Sequence, residues 1–303
     1  MAQTVPLLRE GRTLGVRLRG FVALTKPRII ELLLVTTLPT MIVARRGLPS
    51  GWLILATLVG GTLSAGGANA TNMFLDRDID ALMKRTAKRP LVTGAVTPAE
   101  AIVFAVALQV VAFVVLWRYV NLISAVLALS AALFYVFVYT IVLKRRSAQN
   151  IVIGGAAGAV PVLIGWTAVT GHLAWAPLVL FALIVVWTPS HFWALAVKYR
   201  DDYTAAHVPM LPAVASFERV AREIIGYSVA LVGVSVAFAL VAHMGLLFWG
   251  IDLIAGGVYV ADAIRLRRDG GSAKSAMRLF KYSITYVTVI FVAMAVDVFV
   301  HVH

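Results

Sequence analysis

Residues 51–80 read GWLILATLVGGTLSAGGANATNMFLDRDID. The run from Gly51 to Asn72 carries no charge. It is long enough to cross a hydrocarbon layer as a helix, because about 20 residues at 1.5 Å each span about 30 Å. It then leads straight into Asp76, Arg77, Asp78 and Asp80. Asn72, Asp76 and Asp80 recur every fourth residue, so on a helix they share one face and Asp78 lies off it. Like charges at that spacing repel, and a helix gains no stability from them. Two carboxylates and an amide oxygen on one stripe are hard ligands suited to magnesium, which also takes phosphate oxygens from a substrate.

The rest of the chain fits that beginning. Of 303 residues 61% are hydrophobic and 14% charged, and the mean hydropathy is +0.90. That leaves too little polar surface to cover a water-soluble body, so lipid is the main solvent. Cysteine is absent, which excludes disulfides, thiolate metal sites and cysteine nucleophiles. Apolar stretches near 28–44, 51–72, 99–117, 121–143, 150–169, 174–197, 224–243, 246–264 and 282–300 predict an all-α bundle of nine transmembrane helices. They form one domain over 1–303, with a polar N-terminal tail over 1–20 that lacks a signal-peptide pattern. The net charge is +13, but no basic run interleaved with aromatics lies in a polar domain, so the charge reads as topogenic and no nucleic-acid partner is expected. Of the 27 Lys and Arg, all but Arg45, Arg46 and Arg118 lie in the N-terminus or in the connections 76–100, 144–149, 198–223 and 265–281. The positive-inside rule therefore puts the N-terminus and those connections in the cytoplasm and the C-terminal His301-Val302-His303 outside. The small residues of 153–161 (IGGAAGAVP) read as a close helix-packing surface.

A basic cluster, Lys84, Arg85, Lys88 and Arg89, follows the acidic stripe. Alone it is a solvated loop; beside a metal it can hold a polyanion. A second polar centre, HFWALAVKYRDDY over 191–203, follows the sixth stretch. Asp201 and Asp202 diverge by about 100° on a regular helix, so one at most faces a shared metal and the other orients Lys198 or Arg200. His191 ends an apolar span and is either a hydrogen-bonded helix resident or a site residue at membrane depth. His172 and His243 are read as interfacial, and Glu31, unpaired in sequence, receives no role. The two acidic centres share one side and can converge in a bundle. A diphosphate then bridges them through magnesium above an apolar chamber for a long chain. Such a site ionises an allylic diphosphate, because metal and cations stabilise the charge growing on the leaving oxygens.

At these residues the sequence resembles the UbiA superfamily of intramembrane prenyltransferases, over nearly its whole length from Leu24-Thr25-Lys26-Pro27-Arg28 onward. The Asn72–Asp76–Asp80 stripe is the superfamily signature. Three further features resemble the branch that farnesylates heme: Arg85-Thr86 with Arg89-Pro90, the segment 150–161, and His191-Phe192-Trp193 with residues 199–203 and 208–212. Tyr199 and Tyr203 flank a reduced second aspartate motif, a reduction that branch shares. Ser190 stands where a proline is usual, His207 where glycine is usual, and Val162 replaces a common proline.

The resemblance implies an inner-membrane enzyme with Mg2+ held by Asn72, Asp76 and Asp80, together with Asp201 or Asp202. Lys84, Arg85, Arg89, Lys198 and Arg200 are the implied phosphate-holding cations, with Tyr199 and His191 at the substrates. The implied substrates are farnesyl diphosphate and heme B, joined at the 2-vinyl group to give heme O. Heme A synthase or a terminal-oxidase assembly is the implied neighbour. An aromatic quinone precursor as acceptor fits less well, given the reduced second motif. A divalent-cation transporter is disfavoured because the carboxylates lie at a boundary beside cations that would repel a metal in transit. An assembly factor leaves the aspartate stripe unexplained.

Overall fold

Apolar side chains cannot share a bilayer with unpaired backbone amides, so each long apolar stretch closes its hydrogen bonds internally as a helix. The computed structural model describes residues 13–300. Residues 1–12, most of the polar tail, and the C-terminal 301–303 lie outside the described residues. In chain order the helices are α1 (Leu14–Leu24), α2 (Pro27–Arg45), α3 (Gly51–Leu75), α4 (Arg77–Leu82), α5 (Pro90–Thr93) and α6 (Pro98–Tyr119). They continue as α7 (Leu122–Leu143), α8 (Asn150–Thr170), α9 (Trp175–Lys198), α10 (Arg200–Ala205), α11 (Leu211–Val214), α12 (Phe217–Val241), α13 (Leu246–Arg268) and α14 (Ala273–Val300).

The chain is a multi-pass membrane protein. Eight helices, α3, α6, α7, α8, α9, α12, α13 and α14, are long and apolar enough to cross a bilayer. The ninth expected span is α2, whose 19 residues carry Arg28 and Glu31 near their start and whose apolar part is Leu34–Arg45. Helices α12 and α14 start about two turns before the apolar windows 224–243 and 282–300. Their first turns carry Glu218, Arg222, Lys274 and Arg278 beyond the hydrocarbon. Side-chain caps set the starts: Ser50 accepts from Leu53 N–H at 3.3 Å, Asn121 from Ser124 N–H at 2.8 Å, and Thr97 and Glu100 form a capping box.

The small residues of α8 do pack closely. A Cβ on Gly154 would lie 2.3 Å from the Tyr139 ring, and one on Gly155 would lie 2.8 Å from Thr188. These glycines let α7 and α9 close on α8, which also packs on α2. On the outer surface Val103, Val106, Val110 and Val114 of α6 are exposed, a valine stripe that only lipid can cover. In the last residues of the expected polar tail, α1 is an amphipathic helix: Leu14, Leu18 and Val22 are exposed along one face, Leu24 is buried, and Arg17 reaches Glu100 at 2.7 Å.

Candidate active site

The register of α3 is carried through its own end. Asp76 caps α3, yet its N–H donates to Asn72 O at 2.9 Å, and Asp80 N–H donates to Asp76 O at 2.8 Å. The four-residue spacing therefore survives the break into α4, and Asn72, Asp76 and Asp80 stay on one face, 3, 0 and 2% exposed. Asp78 lies off it, exposed, in a two-bonded pair with Arg145 at 2.6 and 2.7 Å. That guanidinium holds the Asp78 carboxyl below the usual range.

Each member of the stripe meets a cation. Lys26 Nζ donates to Asn72 Oδ1 at 2.8 Å, Lys144 pairs with Asp76, and Arg89 Nη1 lies 2.5 Å from Asp80 Oδ2. Asn72 Nδ2 in turn donates to Asp76 Oδ2 at 2.8 Å and to Thr140 Oγ1 at 3.1 Å. Burial pushes Lys26 well below its ordinary pKa, and the positive Arg89 and Lys144 add to the shift. Burial also lowers Lys144, while Asp76 pulls it back up. Lys26 adopts φ of 53°, a left-handed conformation that is costly for a residue with a Cβ and that sits directly before Pro27. Local strain of this kind collects at working sites.

Lys144 and Thr140 reach the stripe because the end of α7 winds wide. From Phe134 to Leu143 the helix is a π-helix, and beyond it Lys144 N–H still donates to Tyr139 O at 2.8 Å, five residues back. At α-helical pitch Lys144 would fall about half a turn out of line with Tyr135. The wider turn brings Tyr135, Thr140 and Lys144 onto one face. Wide turns inside helices are frequent at functional sites.

One carboxylate oxygen, Asp76 Oδ1, is buried with no hydrogen bond among the described residues; Arg145 Nη2 stands 3.9 Å from it. A buried anionic oxygen costs free energy unless something compensates it. An amide oxygen, two carboxylates and this unfilled acceptor form the donor set that a hard divalent cation takes. Among the described residues no three His, Asp or Glu gather as a ready metal cluster, so the stripe alone is an incomplete shell.

The second acidic centre is tied to the basic loop. Arg85 N–H donates to Asp202 Oδ2 at 3.4 Å, Arg85 Nη2 donates to the Tyr203 hydroxyl at 3.4 Å, and its guanidinium lies 6.0 Å from the Tyr199 ring. Lys198 Nζ lies 5.3 Å from the same ring. Tyr203 is buried, and burial raises its pKa. Asp201, Arg200, Lys84 and Lys88 are exposed around it. His207 takes φ of 51° at a position where the family pattern has glycine, so the turn keeps its left-handed shape at some cost in strain.

His191 is not brought to either acidic centre. Its ring stacks between Trp187 (4.1 Å) and Phe280 (4.6 Å), and Nδ1 lies 2.5 Å from Ser283 Oγ on α14. Ser190 donates to Trp187 O at 3.1 Å and meets the Tyr259 hydroxyl at 2.9 Å, so the serine is hydrogen-bonded where a proline is usual. Sequence reasoning singled out none of Lys26, Lys144, Thr140 and Ser283. The signal for the two lysines was their place as the cation nearest a span boundary; for the two hydroxyls there was none.

Beneath the stripe the α3 face continues as Asn69, Ala68, Ala65, Gly61 and Leu58. These line an apolar cavity closed by residues of α2, α7 and α8.

Eight membrane-spanning helices among the described residues, with α2 beside them, around an acidic stripe and an apolar cavity define a membrane-embedded transferase class, and the chain belongs to the UbiA prenyltransferase family, whose model matches residues 33–285. The chain is 53% identical to the protoheme IX farnesyltransferase of Streptomyces avermitilis, over 96% of this chain and 97% of that one. It is also 53% identical to that of Frankia alni, over 93% and 99%. Solved structures share the fold at 16% identity. A digeranylgeranylglyceryl phosphate synthase structure superposes with a TM-score of 0.76 over 93% of this chain and 98% of its own. A UbiA homolog from Archaeoglobus fulgidus bound to GPP and Mg2+ superposes with 0.63 over 91% and 99%.

Proposed function

We propose that this protein transfers the farnesyl group of farnesyl diphosphate to the 2-vinyl group of protoheme IX, giving heme O and diphosphate. The observation that carries the transfer chemistry is the continuity of one α3 face, from apolar cavity to acidic stripe to cations. The identity to the protoheme IX farnesyltransferases over nearly the full length supports the acceptor.

Asn72, Asp76 and Asp80 would hold Mg2+, with Asp201 or Asp202 completing the set once a diphosphate draws the two loops together. The relative bound to GPP and Mg2+ supports this reading. The bound ion supplies charge stabilisation to the leaving oxygens. Lys26, Lys144 and Arg89, now paired with the stripe, are positioned to turn to the phosphates, and Arg85, Lys84, Lys198 and Arg200 close over them with Tyr199 alongside. The bond between farnesyl C1 and oxygen breaks, diphosphate leaves with the electron pair, and the vinyl π-electrons attack C1. Water captures the resulting benzylic-type cation and loses a proton, leaving the hydroxyethylfarnesyl group.

His191 orients the acceptor. The Ser283 hydroxyl has one proton and gives it to Phe280 O at 2.6 Å, so it accepts from His191 Nδ1–H, a tautomer assigned from the network. Nε2 then carries a lone pair, which suits a porphyrin iron rather than a propionate oxygen. We place the protein in a bacterial plasma membrane as one working domain, with the stripe and loops cytoplasmic and the C-terminus external. The product passes to heme A synthase or a terminal-oxidase assembly. Reporter fusions after Arg89, Arg146, Arg219 and Lys274 are expected to read cytoplasmic, and a cytoplasmic C-terminal fusion would refute this orientation.

The direct test incubates the full chain in detergent with farnesyl diphosphate, Mg2+ and protoheme IX. Diphosphate release is followed alongside the heme mass. A heme heavier by one farnesyl and one hydroxyl group is expected; release without such a heme rejects the acceptor.

A further inference from the structure

The apolar cavity has a built floor, and its depth matches one chain length. We infer that Leu58, Thr37 and Ile164 form a stop that limits the prenyl donor to three isoprene units. The inference rests on the proposed prenyl transfer and adds what sets the donor's length.

Two observations on different helices locate the floor. On α3 the lining runs from Asn69, one turn below Asn72, down to Leu58 and Thr57. On the other wall α2 and α8 converge until they touch: a Cβ on Gly165 would lie 2.7 Å from the carbonyl oxygen of Thr37. Backbone contact of that kind leaves no passage between the two helices. Thr37 and its neighbour across the crossing, Ile164, both line the cavity, and Ile164 is buried against Leu116, Ala125 and Ala128. Leu58, Thr37 and Ile164 each lie about 9–12 Å from the end of their helix remote from the stripe, so they form one level.

Asn69 and Leu58 are separated by about 16 Å along α3 at 1.5 Å per residue. An extended farnesyl chain is about 14 Å long at the advance per bond of an extended backbone, and a geranylgeranyl chain is about 19 Å. Three units fit between the stripe and the floor; a fourth must pass Leu58. One turn nearer the stripe the lumen is kept open by glycine. A Cβ on Gly61, or on Gly158 across the cavity, would meet nothing within 4 Å. A side chain placed there enters free space and shortens the chamber without disturbing a packed contact.

The test supplies geranyl, farnesyl and geranylgeranyl diphosphates singly to the full chain in detergent with Mg2+ and protoheme IX. It reads diphosphate release for each donor and the mass of the heme product. Leu58→Ala is expected to raise the geranylgeranyl-to-farnesyl ratio of kcat/KM by about tenfold or more, the scale on which apolar pockets discriminate length. Gly61→Leu is expected to shift the farnesyl-to-geranyl ratio the other way by a similar factor. Leu58→Val, a milder deepening, carries the first arm if Leu58→Ala does not fold. Wild-type donor ratios in a folded Leu58 variant and in Gly61→Leu overturn the stop. Donor release without any heme product rejects the acceptor while leaving the ratios readable, so the two failures are distinct.

Discussion

The chain carries two acidic centres on the same end of the bundle, and they are built in opposite ways. The first, Asn72–Asp76–Asp80, is buried, each member meets a cation from elsewhere in the chain, and one carboxylate oxygen is left over. The second, Asp201–Asp202, stands on the six-residue helix α10 with both carboxylates exposed or half-exposed; Asp202 accepts from Arg85 N–H, and Tyr203 beside it packs with Ile79 and Met83 of the first centre's segment. Burying charge is expensive unless it is paired. The first centre is therefore fixed before any ligand arrives, whereas the carboxylates of the second stand at the surface, where they can turn towards one. A site that must admit a charged, long-chain donor and then close over it needs one rigid wall and one mobile one.

The sharpest way to break this comparison is to neutralise both walls in turn. Asp76→Asn and Asp80→Asn are expected to lower kcat about 10^3-fold each, the scale seen when a preorganised charge-stabilising group is lost. Membrane insertion and elution volume should stay normal. Asp202→Asn is expected to cost only about tenfold, mostly in KM for farnesyl diphosphate, if it closes over the ligand rather than founding the site. Equal losses at Asp80 and Asp202 would mean that both centres are rigid.

His191 belongs to neither wall, and its contacts give the next effect in size. His191→Ala is expected to reduce heme O formation about 10^2-fold, as loss of a substrate-orienting contact does. Farnesyl diphosphate binding should be retained. Ser283→Ala should shift the Soret band of the heme complex towards that of His191→Ala, because nothing then fixes the Nδ1–H tautomer. Ser283→Thr should restore it. An unchanged Soret band in His191→Ala removes this residue from the acceptor site.

Arg85 joins the two walls by hydrogen bonds to Asp202 and Tyr203. Arg85→Ala is expected to raise KM for farnesyl diphosphate about tenfold, about what one charge-assisted contact contributes. Lys88→Ala, exposed and unlinked, should change it less than about twofold. If the Lys88 and Arg85 variants behave alike, the loop acts by net charge and not by the contacts of the Arg85 side chain with Tyr203 and Tyr199.

The smallest expected effect is the control for the helical-face argument. Asp78→Asn breaks only a pair whose members are 60 and 38% exposed, which is worth about 1 kcal/mol or less. Activity should stay within about threefold of the unaltered chain, read under the same assay as Asp76→Asn. Sensitivity equal to that of Asp76 would show that Asp78 turns to the ligand.

Residues 51–80 by themselves determined a great deal. A long uncharged run dictates a spanning helix, because lipid offers the backbone no partners. A four-residue spacing dictates a shared face, because the helix repeats at 3.6 residues. Local periodicity thus reached the eight spanning helices, the helix α2 counted as a ninth, and the whole acidic stripe, with Asp78 off it. It did not reach Lys26, Lys144, Thr140 or Ser283, since each acts across 45 or more intervening residues, and a place beside a span boundary does not say what a lysine will meet. Nor could it place His191, which two rings and a serine hydroxyl hold on the α9–α14 face away from the aspartates that follow it in sequence. The π-wound end of α7 is the clearest case: an apolar run reads as ordinary helix, and only packing against α3 and α8 decides that it winds wide. The floor of the cavity is likewise tertiary, because a glycine records only that something comes close. What comes close to Gly165, the Thr37 carbonyl of α2, exists only once the helices have been assembled.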